Sequence, residues 1–143
     1  MRRFISIALV LQLILLASCK PQFEKIEYGK EACSHCKMTI VDARFAAEMV
    51  TSKGRAYKFD DILCMKQYAD NNADQSNNAL FFVAVYGSGN KDEFTDAKRA
   101  LYLKDDFFRS PMNGNYAAFS TTEAVKKLKD SLNVQPIAWE AIQ

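Results

Sequence analysis

A short apolar run at the N-terminus decides how much of this chain is left to fold. Arg2 and Arg3 precede Phe4–Leu16, which is apolar except for Ser6 and Gln12, and Ala17, Ser18 and Cys19 close it. The run falls short of the roughly 20 residues a membrane-spanning helix needs, and its basic head and small-residue end are those of a secretory signal. Leu16-Ala17-Ser18-Cys19 also has the pattern of a bacterial lipobox, in which cleavage precedes the cysteine and its sulfur takes a diacylglycerol. The expectation is a lipoprotein signal peptide at 1–18 and a lipid on Cys19. The mature chain is then a lipid-anchored bacterial envelope protein facing the periplasm, because two or more acyl chains hold where one is marginal.

Removing that segment changes the charge. The whole chain has 19 Lys and Arg against 17 Asp and Glu. Arg2 and Arg3 leave with the signal, so 17 of each sign remain and the mature chain is neutral. No electrostatic case for nucleic acid survives. About 125 residues is one ordinary domain, and at that size no disulfide framework is required.

The elements follow from pattern. Residues 19–30, with Pro21 and no periodicity, read as a lipidated tether, and one folded domain over 31–143 follows. Arg44 to Thr51 is β-compatible, Ser52-Lys53-Gly54-Arg55 is a turn, and Ala56 to Phe59 completes a hairpin. Asp60 and Asp61 are candidate helix caps before the helical spacing of Ile62, Met65, Tyr68 and Ala69. Asn71 to Asn78 reads as a polar loop and Leu80 to Tyr86 as a buried strand. In the second half, Ala100 to Leu103 and Tyr116 to Phe119 are strands. Ser120, Thr121 or Thr122 caps a helix carrying Ala124, Val125, Leu128 and Leu132. Gln135 to Trp139 is a short last strand. The predicted fold is α+β, with two pseudo-symmetric β-β-α-β halves at about 31–90 and 91–143.

Chemistry concentrates at Cys33-Ser34-His35-Cys36-Lys37-Met38, which holds two thiols, the chain's one imidazole and a thioether. Such donors select Cu(I), Zn(II) or redox chemistry over hard cations. With Cys19 lipidated, Cys33, Cys36 and Cys64 remain, and an odd count leaves at least one thiol unpaired or bound to something. Thioredoxin-like exchange wants a strand before the Cys-x-x-Cys and a helix after it. Glu27 to Glu31 is not an apolar strand, and Thr39-Ile40-Val41 is poor in helix formers. A structural disulfide between Cys33 and Cys36 is a further alternative. A structural zinc site wants four ligands. Cys33, His35 and Cys36 with Cys64 would supply them, although Cys64 sits on an apolar helix face where a cysteine is more often core. Cu(I) accepts two or three soft donors, thioether included. Cys36 and Met38 are two apart and point the same way in an extended segment. Met112 lies in the polar loop Ser110-Pro111-Met112-Asn113-Gly114-Asn115, where core packing explains it poorly.

Three stretches carry a resemblance. Cys33-x-x-Cys36-x-Met38-x-Ile40-x-Asp42-x-Arg44-Phe45-Ala46-Ala47-Glu48 is similar to the NosL family of copper-binding lipoproteins that accompany nitrous oxide reductase. So are Tyr57-x-Phe59-Asp60-Asp61-Ile62 and Ser110-Pro111-Met112 followed by Ala117-Ala118-Phe119. The resemblance implies a fold like that of organomercurial lyase and a non-enzymatic Cu(I) metallochaperone. It assigns the metal to Cys36, Met38 and Met112, with Cys33 and His35 as additional candidates. It implies apo nitrous oxide reductase as the recipient and the membrane as partner through the N-terminal lipid. Two positions depart from the family pattern: Lys37 replaces a common glycine, and His35 replaces a common aromatic residue. The competing classes are an organomercurial-lyase-like enzyme, with Asp42 or Asp60 as its acid, and an envelope lipoprotein with a structural zinc or thiol-redox site.

Overall fold

The computed structural model describes residues 21–143; the signal at 1–18 and Cys19 lie outside them. Six strands and three α-helices are arranged as β1 (Ala47–Val50), β2 (Ala56–Phe59), α1 (Ile62–Asn71), α2 (Ala73–Ser76), β3 (Leu80–Ala84), β4 (Phe94–Asp96), β5 (Leu101–Lys104), β6 (Tyr116–Phe119) and α3 (Thr122–Leu132). An antiparallel sheet of order β2-β1-β3-β4 and a β5-β6 hairpin make up the β structure. A parallel bridge between Val85 and Ala118 joins them, so the two halves share one body. The α+β class read from the sequence holds. The pseudo-symmetric repeat is not confirmed: β4, which falls in the second half, joins the first sheet, and the last expected strand is one bridge, Tyr102 to Ile137. Pro136 precedes that residue and has no N–H to extend a ladder, and a 3₁₀ turn at Trp139–Ala141 follows.

Two expectations change and one strand, β4, was not expected. Asn71–Asn78 is not all loop, because Asn72 starts the single-turn helix α2. Strand β4 is too short and too polar to show a period. The segment read as a tether is docked from Phe23 onward. Phe23 packs on Phe94 with ring centroids 4.5 Å apart and edge-on against Phe82 at 5.6 Å, Ile26 is buried, and Lys25 pairs with Asp92. Those two apolar side chains bring hydrophobic surface to an otherwise polar stretch; fully burying Ile26 contributes roughly 1.5–3 kcal/mol, and half-burying Phe23 contributes less.

The four-stranded sheet is therefore covered on both faces. Helix α1 lies on one, with Tyr68 against Tyr57 and Phe59. The N-terminal strap lies on the other. There the Glu24 N–H donates to Glu48 and the Lys58 ammonium donates to the Lys25 carbonyl and to Glu31. A smaller core under α3 joins Val125 to Phe45, Leu103, Phe108 and Phe119. Thr121 caps α3, its hydroxyl accepting from the Ala124 N–H at 3.2 Å. Among the described residues no helix is long and apolar enough to cross a membrane.

Candidate metal centre

The strap leads straight into the sulfur-rich loop. An antiparallel bridge between Ala32 and Thr39 closes it, the Cys33 N–H donates to the Met38 carbonyl at 2.8 Å, and the Lys37 N–H donates to the Cys33 carbonyl at 3.1 Å. The Ser34 N–H donates to the Lys58 carbonyl, which pins the loop to β2. Lys37 makes the tight reversal with φ of 69°, the left-handed region that glycine enters freely. Its ammonium folds back to the Ser34 carbonyl at 2.7 Å. The chain thus keeps the backbone conformation a glycine would favour while carrying a lysine.

The turn turns Cys33 and Cys36 inward. Cys33, Cys36, Cys64 and Asp60 each offer one ligand atom, and these four atoms all lie within 4.8 Å of one another. Sulfurs sharing one ion at a metal–sulfur distance near 2.3 Å sit roughly 4 Å apart, so the spacing suits a single cation. Cys33 comes from the loop, Asp60 from the end of β2 and Cys64 from the first turn of α1. Cys33, Asp60 and Cys64 are buried, Cys36 is half-buried, and all three thiols are free. The Cys36 thiol donates to both Asp60 oxygens, at 3.3 and 3.4 Å.

The three thiols do not share protons equally. The Cys64 thiol, donating toward Cys33, holds that thiol down at about 6. Cys64 correspondingly keeps its proton and is pushed far up by the same bond. Burial pushes Cys36 up to about 11, with Cys33 and Asp60 adding to it.

Asp61, next to Asp60, does different work. It is the N-cap of α1, accepting from the Leu63 N–H at 2.8 Å, and its other oxygen takes the Ser110 hydroxyl at 2.6 Å and the Met112 N–H at 3.0 Å. One buried carboxylate thereby fastens the Met112 loop to the turn that carries Asp60. Gly114 allows the approach: a Cβ there would meet Leu63 Cβ at 2.7 Å and Asp61 Oδ1 at 2.9 Å.

Of the residues singled out by sequence, Cys33 and Cys36 enter the cluster and His35, half-buried, does not. Met38 is 43% exposed and Met112 39% exposed. Asp60 enters the cluster although its position before a helix reads as a cap, and Cys64 enters it although its helical spacing reads as core.

A NosL family model matches residues 25–142. The chain belongs to the NosL family. A NosL protein is a metal-binding protein and not an enzyme. The NosL fold here is similar to the crystal structure of the copper chaperone NosL from Shewanella denitrificans, with a TM-score of 0.72 and 14% identity over 87% of this chain and 98% of that one. No curated protein matches the sequence significantly. In this NosL chain Asp61 holds the Met112 loop to the α1 N-terminus, next to Asp60, which meets the thiols of the Cys33–Met38 loop.

Proposed function

We propose that the protein is a membrane-anchored Cu(I) metallochaperone that carries copper on the periplasmic side and hands it to apo nitrous oxide reductase. The anchor is the lipid on Cys19. The carrying donors are the Cys36 thiolate and the Met38 and Met112 thioethers. Thioethers bind Cu(I) and are seldom used by Zn(II), so they select the ion as well as hold it. The reading rests on one observation above the others: Cys36 faces the buried thiols while Met38, two residues on, is open to solvent. A chaperone needs that graded exposure, because a recipient's ligands must reach the ion while the carrier's still hold it. The copper chaperone of similar fold supports copper as the cargo.

The test uses the full chain in detergent, reduced and titrated with Cu(I) against a competing chelator. Cys36→Ser is expected to weaken binding by more than about 100-fold, beyond what changes around a ligand cause. Met38→Ala and Met112→Ala are each expected to cost about tenfold. The loaded protein, mixed with apo nitrous oxide reductase, transfers copper. Tight Zn(II) binding with both methionines indifferent would overturn the reading.

A further inference from the structure

We infer that the chain has an inner Cu(I) position, made by Cys33 and Cys64 together with Cys36, behind the Cys36–Met38–Met112 donors that face solvent. The inference deepens the delivery reading and rests on it.

Cys33 and Cys64 have no part in an exposed Cys-x-Met site. Their Sγ atoms nevertheless lie within 4.8 Å of each other and of Cys36. They come from two separate elements, so loop closure and the packing of α1 both have to place them. Three thiolates at that spacing satisfy Cu(I) in trigonal coordination, and soft thiolate donors favour it. Cys36 belongs to both sets. A single ion can therefore move between them by exchanging Cys33 and Cys64 for Met38 and Met112 without leaving Cys36. An ion that makes this exchange must accept both thiolate and thioether at low coordination number, which points to Cu(I) rather than Zn(II).

Burial orders the path. Cys33 is 0% and Cys64 1% exposed, Cys36 is half-buried, and Met38 and Met112 are open. The inner sulfurs are reached past Cys36. Asp60, also buried, touches the cluster by accepting from the Cys36 thiol. As each protonated thiol sulfur binds copper, its S–H bond breaks, its S–Cu bond forms, and its proton passes to water, that of Cys36 by way of the Asp60 carboxylate that accepts it. No electron is exchanged. The inner position retains the ion and the outer one presents it, which keeps thiolate-bound copper away from oxidants until a recipient docks.

The test compares Cys33→Ala, Cys64→Ala and Cys64→Val with Met38→Ala in the full chain, loaded with one equivalent of Cu(I). X-ray absorption counts the sulfur neighbours and chelator competition gives the affinity. Wild type and Met38→Ala are expected to show three sulfurs. Cys33→Ala and Cys64→Ala are expected to show fewer and to bind more than about tenfold more weakly. Cys64→Val preserves the apolar volume, so equal circular dichroism in its apo form separates loss of a ligand from loss of fold. Unchanged affinity and sulfur count in the Cys33 and Cys64 variants overturns the inner position and leaves the chaperone reading standing. No Cu(I) binding by wild type overturns both. Binding at the cluster of Zn(II) in preference to Cu(I), with oxygen from Asp60 as a fourth neighbour, overturns the inner copper position.

Discussion

The two sides of the metal centre present the same element, sulfur, under opposite conditions. On the inner side, Cys33 and Cys64 are fixed in the core among residues of β2 and α1, and the carboxylate there, Asp60, receives its side-chain hydrogen bonds from a thiol. On the outer side, Met38 and Met112 stand exposed on two loops from different halves of the chain. The inner side gets its geometry from packing, which holds without a ligand. The outer side gets its geometry from two hydrogen-bonded attachments, the Cys33–Met38 turn and the Asp61 clasp on Ser110 and Met112. In the proposed chaperone the packed side would retain copper and the clasped side would exchange it.

The Asp61 clasp is the place where this contrast breaks most severely. Asp61→Ala removes an N-cap and leaves the Ser110 hydroxyl and Met112 N–H without their acceptor. Caps are worth about 1 kcal/mol, and stranded buried donors about 1–3 more. The expected loss is about 2–4 kcal/mol in urea unfolding. Because the Met112 loop is released, Cu(I) affinity should also fall as far as in Met112→Ala. A variant that is destabilised but binds Cu(I) normally would show that the loop needs no clasp, and the outer side would then be as self-sufficient as the inner.

How much of this was legible in the sequence divides along the same line. The first hairpin, strands β3, β5 and β6, and helices α1 and α3 announce themselves through pattern, turns and caps, because those signals act over neighbouring residues. The proposed outer donors rest on the sequence signal: Met38 follows Cys36 at a two-residue step, and Met112 stands in a polar loop that core packing does not explain. The inner side was not legible. Cys64 sits between Ile62 and Met65 at core spacing, and nothing within a few residues shows that its sulfur meets a loop near position 33. Asp60 and Asp61 look alike as caps, and only the fold gives one to the helix and the other to the thiols. His35 stood out as the lone histidine, yet the turn through Lys37 leaves it outside the cluster. The docking of the N-terminal strap was hidden because two apolar residues, Phe23 and Ile26, are too few to show a period.

A second buried carboxylate, far from the sulfurs in function, sharpens what an unbalanced acid costs. Glu48 is 0% exposed on β1 beneath the strap; Oε1 accepts from the Glu24 N–H at 2.8 Å, and Oε2 has no partner among the described residues. Burial raises its pKa from 4.5 to about 7; the Glu24 N–H and Lys58 pull it down, and Glu24 and Glu31 push it up. Below about pH 4.5 the carboxyl is protonated in folded and unfolded chains alike, and it costs nothing extra. Between that pH and 7 the unfolded chain ionises first, so a penalty grows with pH and stays constant above. A shift of that size corresponds to roughly 3 kcal/mol. Glu48→Gln should therefore stabilise the protein at pH 8 by about 2–3 kcal/mol, change little at pH 4.5, and flatten the stability profile between. Urea unfolding across that range measures it. An unchanged profile would mean that the strap opens to let water reach Oε2, and the strap would then be clasped like the outer loops rather than packed like the core.

The smallest expected effect falls at Lys37, the residue where the buried side becomes the exposed one. A non-glycine residue at φ of 69° carries a conformational cost of roughly 1–2 kcal/mol. Lys37→Gly removes that cost. It also loosens the unfolded chain, which takes back about 0.4–1 kcal/mol, and gives up the exposed bond from the ammonium to the Ser34 carbonyl. The balance is a stabilisation of about 0.5 kcal/mol, with Cu(I) affinity within about twofold of wild type, since Cys36 and Met38 keep their places. If the glycine variant is instead less stable and binds copper more weakly, the lysine is what holds the turn closed. The joint between retention and exchange would then depend on one ammonium–carbonyl bond at the surface, and acylating that lysine would loosen the outer donors while leaving the inner thiols packed.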